Sequence, residues 1–158
     1  MKGDPNVLET LNSLLADELT AINQYMVHAE MCDNWGYKIL DDMIQKRAIM
    51  EMKHAEKLIY RILFLEGTPI VSVLREIRIG KDIPQMFAND HGLELLAVKN
   101  YNAAIEVCGK AHDFATREIL EDILEQEDEH VDEIETVQDE ITQMGVQIFL
   151  STKVEKSK

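Results

Sequence analysis

Four long α-helices packed side by side are what this sequence predicts, and three observations predict them. Apolar residues recur at helical spacing over four segments of about 28 residues each. Gly and Pro, at 7 and 3 in 158 residues, are too scarce for the frequent turns of a β-sandwich or barrel. The links between segments are short except for one in the middle. At 1.5 Å per residue such helices are about 42 Å long, and in one domain they bury their apolar faces against each other. Short links join antiparallel neighbours, and the long link permits one crossover. The expected fold is all-α: an antiparallel four-helix bundle with one long crossover connection and a short C-terminal fifth helix, in a single domain over residues 1–158.

Each element has its own signals. Asp4 can cap and Pro5 suits a first turn, so the first helix is expected over 5–34, with Leu8, Leu11, Leu15, Ile22 and Met26 at helical spacing. Trp35-Gly36-Tyr37 breaks the pattern. The second helix is expected over 38–65 and stops at Glu66-Gly67-Thr68-Pro69. Thr68 to Lys81 is β-branched and short in period, and reads as the long connection. Asp82 caps a third helix over 83–110, and a turn at His112-Asp113 leads to a fourth over 114–144, ending at Gly145. The tail alternates apolar and polar residues and suits a short helix over 146–154.

Charge narrows the function. The chain carries 16 Lys and Arg against 30 Asp and Glu, a formal net of −14. A nucleic-acid partner bound through a basic surface is excluded by that balance. A cationic partner, a metal ion above all, is its natural complement. No apolar run is long enough to span a bilayer. Cys32 and Cys108 form no CxxC pair, and the N-terminus carries no secretory h-region, so a reducing cytoplasm is expected.

The chemistry lies in a repeated offset. Glu51-Met52-Lys53-His54 and Glu127-Asp128-Glu129-His130 are two Glu-x-x-His units 76 residues apart. The same offset relates Glu18 to Glu94 and Tyr25 to Tyr101, so helix one matches helix three and helix two matches helix four. Glu18 and Glu94 sit among apolar neighbours such as Leu15, Ile22, Leu93 and Leu95. A buried carboxylate must be paired or must bind metal. Four carboxylates and two imidazoles converging in one bundle core balance two divalent metals in charge. Hard oxygens with imidazole suit iron or manganese, though ligand type alone also admits zinc or cobalt.

On these motifs the chain resembles the bacterioferritins over nearly its whole length. MKGDPNVLETLNSLLADELTAINQYMVHAEMCDNWGYK, IMEMKHAEKLIYRILFLEGTP and the EDEH unit are all close to the family pattern. The resemblance implies a homo-oligomeric cage of 24 subunits around an iron-mineral cavity. It implies a di-iron ferroxidase centre in each subunit, with Glu18 and Glu94 as terminal ligands, Glu51 and Glu127 bridging, and His54 and His130 each capping one iron. It further implies that Fe(II) is oxidised by dioxygen or hydrogen peroxide and that Fe(III) passes to the mineral. Met52 would be the ligand of haem b, shared by two subunits across a two-fold interface. On a 3.6-residue helix it points about 100° from Glu51, onto an apolar outer face with Ile49 and Ile59. Leu19, Ile22, Asn23 and Met26 could complete the haem pocket. A small ferredoxin is the reductant the family suggests for iron release. Two other readings stand beside storage: a peroxide-reducing di-iron enzyme akin to rubrerythrin, and a cage subunit devoted to electron transfer through haem.

Other positions follow from the resemblance or stay open. Lys46, Arg47 and Met50 stand where many relatives carry acidic or histidine residues that, with the tyrosine, hold additional iron on the cavity wall. Asn34, Glu66, Asp132 and Asp139 match positions lining a subunit-junction channel, and Glu118, Glu121, Asp122 and Glu125 are either a pore lining or a solvated face. Tyr25 is either a partner of a metal ligand or a core tyrosine. Asp90, four residues before Glu94, is a candidate to orient a metal-bound histidine. His28, His91 and His112 are read as structural.

Overall fold

The computed structural model describes residues 1–154; the last four residues of the expected 1–158 domain lie outside the described residues. Its helices are α1 (Pro5–Asn34), α2 (Lys38–Phe64), α3 (Ile83–Lys110), α4 (Phe114–Met144) and α5 (Val146–Ser151). Asp4 accepts from the amides of Asn6 and Val7, Asp82 from Gln85, and Asp113 from Thr116, each quenching free amides at a helix start. Two ends differ from expectation. The second helix ends at Phe64, because the left-handed turn residue is Glu66 (φ 62°), not Gly67. The fifth stops at Ser151, where the Ser151 and Thr152 hydroxyls donate back to the carbonyls of Ile148 and Phe149.

α1 packs along α2 and α3 along α4, and the two hairpins meet mainly through α1 and α3. The core is split in two. One apolar cluster gathers Leu11, Leu15, Leu58, Ile62, Leu120 and Ile123. The other gathers Ala29, Leu40, Ile44, Phe87, Ile134 and Phe149, so α5 closes that end of the bundle. Cys32 and Cys108 are free thiols in the core, and burial pushes them up to about 12 and about 11. No described helix is long and apolar enough to cross a membrane.

The crossover between α2 and α3 is held by a stripe of polar side chains spaced at multiples of four residues on α1. The Ile70 amide donates to Asn12 Oδ1 (2.8 Å), the Arg75 amide to Thr20 Oγ1 (2.8 Å) and the Arg78 amide to Gln24 Oε1 (3.1 Å). The Gly80 amide donates to His28 Nε2 (3.0 Å). His28 therefore carries its proton on Nδ1, which donates to Asp90 Oδ1 at 2.9 Å; Gln24 donates to the same oxygen at 2.8 Å. An irregular segment thus satisfies its amides without a sheet. Gly80 is needed at the end of it, since a Cβ there would lie 2.4 Å from the Met86 nitrogen. Gly80→Ala is expected to destabilise the fold by about 1–3 kcal/mol, read as a lower urea midpoint at fixed protein concentration.

Candidate metal centre

Between the two apolar clusters lies a polar layer built from the four long helices. α1 supplies Glu18, α2 Glu51 and His54, α3 Glu94, and α4 Glu127 and His130, all buried. Glu-x-x-His spacing places both side chains of a unit on one helix face, and here that face is inward. His54 Nδ1 lies 2.8 Å from Glu127 Oε1, 3.7 Å from Glu18 Oε2 and 3.8 Å from Glu51 Oε2. His130 Nδ1 lies 2.8 Å from Glu51 Oε1 and 3.5 Å from both Glu94 Oε1 and Glu127 Oε2. The two rings are 6.2 Å apart. The donors form two groups, Glu18, Glu51, His54 and Glu127, and Glu51, Glu94, Glu127 and His130; within each, one atom per residue lies within 4.8 Å of the rest. Glu51 and Glu127 belong to both groups.

The inward atoms have no hydrogen-bond partner: Glu18 Oε2, Glu51 Oε1, His54 Nδ1, Glu94 Oε2, both oxygens of Glu127 and His130 Nδ1. These atoms meet only one another, in ion-pair contacts without hydrogen-bond geometry, which is costly unless a cation occupies the space they share. The outward atoms are satisfied instead. Tyr101 Oη donates to Glu18 Oε1 at 2.6 Å, and Tyr25 Oη donates to Glu94 Oε1. The tyrosines cross between α1 and α3, so the 76-residue offset is a two-fold relation in space. Hydrogen bonds on the outer oxygens turn the inner ones toward the common space, which is the usual support for metal ligands.

The electrostatics of the metal-free state match this reading. Burial pushes Glu18 well above the carboxylate range, with further repulsion from Glu51. Burial and the neighbouring Glu127 raise Glu94 to about 8. Burial alone would lower both imidazoles; attraction to Glu127, Glu18 and Glu51 reverses this for His54, and to Glu127, Glu51 and Glu94 for His130, raising each to about 12. Burial acts upward on Glu127 as well, but Glu94 and both imidazoles outweigh it and hold it well below its ordinary value. Protons do the work of cations until a metal arrives. A cavity of about 240 Å³ reaches this layer between α1, α3 and the crossover; buried Glu18, Glu51 and Glu94 lie at its base and exposed Arg75, Glu76 and Arg78 at its mouth.

The remaining singled-out residues divide clearly. Met52 is 46% exposed on the outer face of α2, beside exposed Ile49 and with exposed Met26 on α1; Leu19, Ile22, Asn23 and Ile59 are half-buried. Asp90 holds no metal-facing histidine: it accepts from Gln24 and His28, and so orients the crossover instead. Among the histidines read as structural, His28 anchors that crossover, His91 lies 2.7 Å from Glu135 Oε2, and His112 occupies a left-handed turn (φ 55°). Lys46 is exposed and Met50 half-buried, whereas Arg47 is buried, with its guanidinium 5.3 Å from the Tyr25 ring centre. Asn34, Glu66, Asp132, Asp139, Glu118, Glu121, Asp122 and Glu125 are all exposed. Sequence reasoning missed the role of Tyr101, which the offset from Tyr25 signals, and that of Gln126, whose Oε1 accepts from His54 Nε2 at 2.5 Å.

Residues 8–144 match the ferritin-like domain family. The chain is 40% identical to bacterioferritin of Streptomyces coelicolor over 157 residues, covering 99% of this chain and 94% of that protein. It belongs to the bacterioferritin family. Bacterioferritin of Mycolicibacterium paratuberculosis is 38% identical, over 94% of each chain. Bacterioferritin of Brucella melitensis is 37% identical, over 92% of this chain and 90% of its own.

In this bacterioferritin-family chain a metal ion entering the layer would compete with protons, and the sign follows from the shifts. Glu18, Glu94, His54 and His130 bind protons more tightly folded than unfolded. That stabilisation is complete below the ordinary values and is lost as pH rises, for Glu94 between 4.5 and about 8. The metal-free melting temperature is expected to fall from pH 5 to pH 8. Zinc(II) should raise it more at pH 8 than at pH 6, releasing roughly two protons per ion into weakly buffered solution. A zinc effect independent of pH would contradict this electrostatic account.

Proposed function

We propose that each chain binds two Fe(II) in this layer and oxidises them, and that an assembled cage of such chains stores the ferric product. The observation that carries the reading is the set of converging inward donor atoms, without hydrogen-bond partners, on four buried glutamates and two buried histidines. Their charge and ligand type suit two iron ions, with Glu51 and Glu127 placed to bridge and the other four to hold one ion each. Membership of the bacterioferritin family supports iron as the metal and storage in a cage as the outcome.

Iron is the substrate, and the protein supplies geometry, charge and access. Fe(II) reaches the glutamates through the cavity between α1, α3 and the crossover. Binding displaces the protons held on Glu18, Glu94 and the imidazoles. Each pair of Fe(II) gives up two electrons. With two protons these reduce dioxygen to hydrogen peroxide, or hydrogen peroxide to two waters. Tyr25 and Tyr101 keep the terminal glutamates aimed inward as the charge of the bound iron changes. The four-helix frame holds the bridging glutamates on opposite helices, so the ions are paired before the oxidant acts.

Haem b, the second group the family implies, suits Met52: a neutral soft donor on an exposed apolar face, turned away from the metal layer. Met52 from each of two copies would hold it, and bound haem would provide one-electron transfer for releasing stored iron. Nothing in the chain's charge or motifs calls for nucleic acid or membrane, and a cytoplasmic cage fits the free thiols.

Aerobic addition of Fe(II) to the apoprotein tests the main reading, with ferric absorbance and final iron per chain followed together. Rapid oxidation, reduced at least roughly 10-fold in Glu94→Ala and in His130→Ala, with loading far beyond two irons per chain, is the expected result. Loading that stops near two would leave a non-storage di-iron enzyme. For the haem assignment, Met52→Leu is expected to remove the Soret absorbance per chain; retention of full haem would place its ligand elsewhere.

A further inference from the structure

The two-fold relation that builds the metal layer is broken at two pairs of positions, and one of them bears on an imidazole. Ligand for ligand the halves match: Glu18 with Glu94, His54 with His130, Tyr101 with Tyr25. Both terminal glutamates receive a tyrosine hydroxyl. The imidazoles are not treated alike. His54 is fully buried, and its Nε2 donates to Gln126 Oε1 at 2.5 Å. Because that oxygen can only accept, Gln126 keeps the proton on Nε2, so that Nδ1 is the nitrogen that offers its lone pair once a metal ion displaces the proton it shares with the carboxylates. Subtracting 76 from Gln126 gives Met50, a thioether with no proton-accepting amide. His130 accordingly has no hydrogen-bond partner on its second nitrogen among the described residues, and its side chain is 8% exposed against 0% for His54.

The geometry points to unequal half-sites: Gln126 is a positioning residue that makes the Glu18–His54 half the tighter one, so it takes the first metal ion and the Glu94–His130 half takes the second. This rests on the di-metal reading of the layer. A pre-oriented imidazole loses little freedom on ligation, whereas one without a partner must be immobilised by the metal itself. The other mismatch does not decide the order. Arg47 stands beside Tyr25 where its counterpart, Ile123, is apolar, but Asp90 at 3.9 Å and Glu133 at 3.8 Å offset its charge. The consequence is sequential filling: one ion is held firmly, and the less deeply buried His130 edge remains the labile side.

Anaerobic cobalt(II) titration of the full-length assembled protein tests this. The d–d absorbance gives stepwise affinities, and anomalous diffraction from crystals loaded with one cobalt per chain gives the site. Two unequal steps are expected, with the first cobalt at Glu18–His54. Gln126→Met should weaken the first step roughly 10-fold or more and leave the second unchanged, while Gln126→Glu, which keeps an acceptor oxygen, should preserve the order. Met50→Gln should tighten the second step, and it carries the test by itself if Gln126→Met fails to assemble. Cobalt shared evenly between the halves, or a Gln126→Met variant that weakens both steps alike, would overturn the inference and leave the di-metal reading standing. Absence of any cobalt binding would overturn both.

Discussion

Four carboxylates in the core of a small helical bundle are the constraint on which the rest of this structure depends. Left ionised and unpaired they would oppose folding by far more than a domain's net stability. The chain meets the problem by placing two imidazoles among them and a tyrosine hydroxyl on each outer glutamate, while leaving the inner atoms open. Protons balance the charge without metal, and two divalent ions balance it with metal. The same arrangement that is awkward for an empty bundle is suited to a loaded one. Apolar clusters above and below the layer limit its contact with water to the side cavity, which strengthens the charge interactions inside.

A second polar system supports the first without touching metal-facing atoms. Asn12, Thr20, Gln24 and His28 form a ladder on α1 that receives the amides of the crossover, and Asp90 ties its upper end to α3. The crossover in turn walls the cavity that leads to Glu18 and Glu94. Arg47 closes the neighbouring corner against Tyr25, Asp90 and Glu133. Access to the centre and the position of its tyrosines are thereby fixed by residues that carry none of its chemistry.

Much of this was legible in the chain. The helix segments followed from apolar spacing, Asp caps and the breaks at Gly36, Gly67 and Gly145, because those signals act within a few residues. The hexad followed from the 76-residue offset, since two similar hairpins related by a two-fold axis must place matching residues on matching faces. The ladder on α1 was not legible, because its partners are backbone amides, and an amide leaves no mark in the sequence. Asp90 was misread for a related reason. Its distance from Glu94 suggested the metal layer, yet its side chain reaches across to Gln24 and His28 on α1.

The sequence by itself determined the four-helix architecture, the six glutamates and histidines that converge and the family, because periodicity, capping and a repeated spacing are properties of the chain. Tertiary structure decided which atoms are satisfied and which are left open. That Tyr101 bonds Glu18 while Tyr25 bonds Glu94, that Gln126 meets His54, and that Arg47 is buried rather than solvated all depend on contacts between different helices. Such contacts are set by helix rotation and approach, which emerge only when both apolar clusters pack at once.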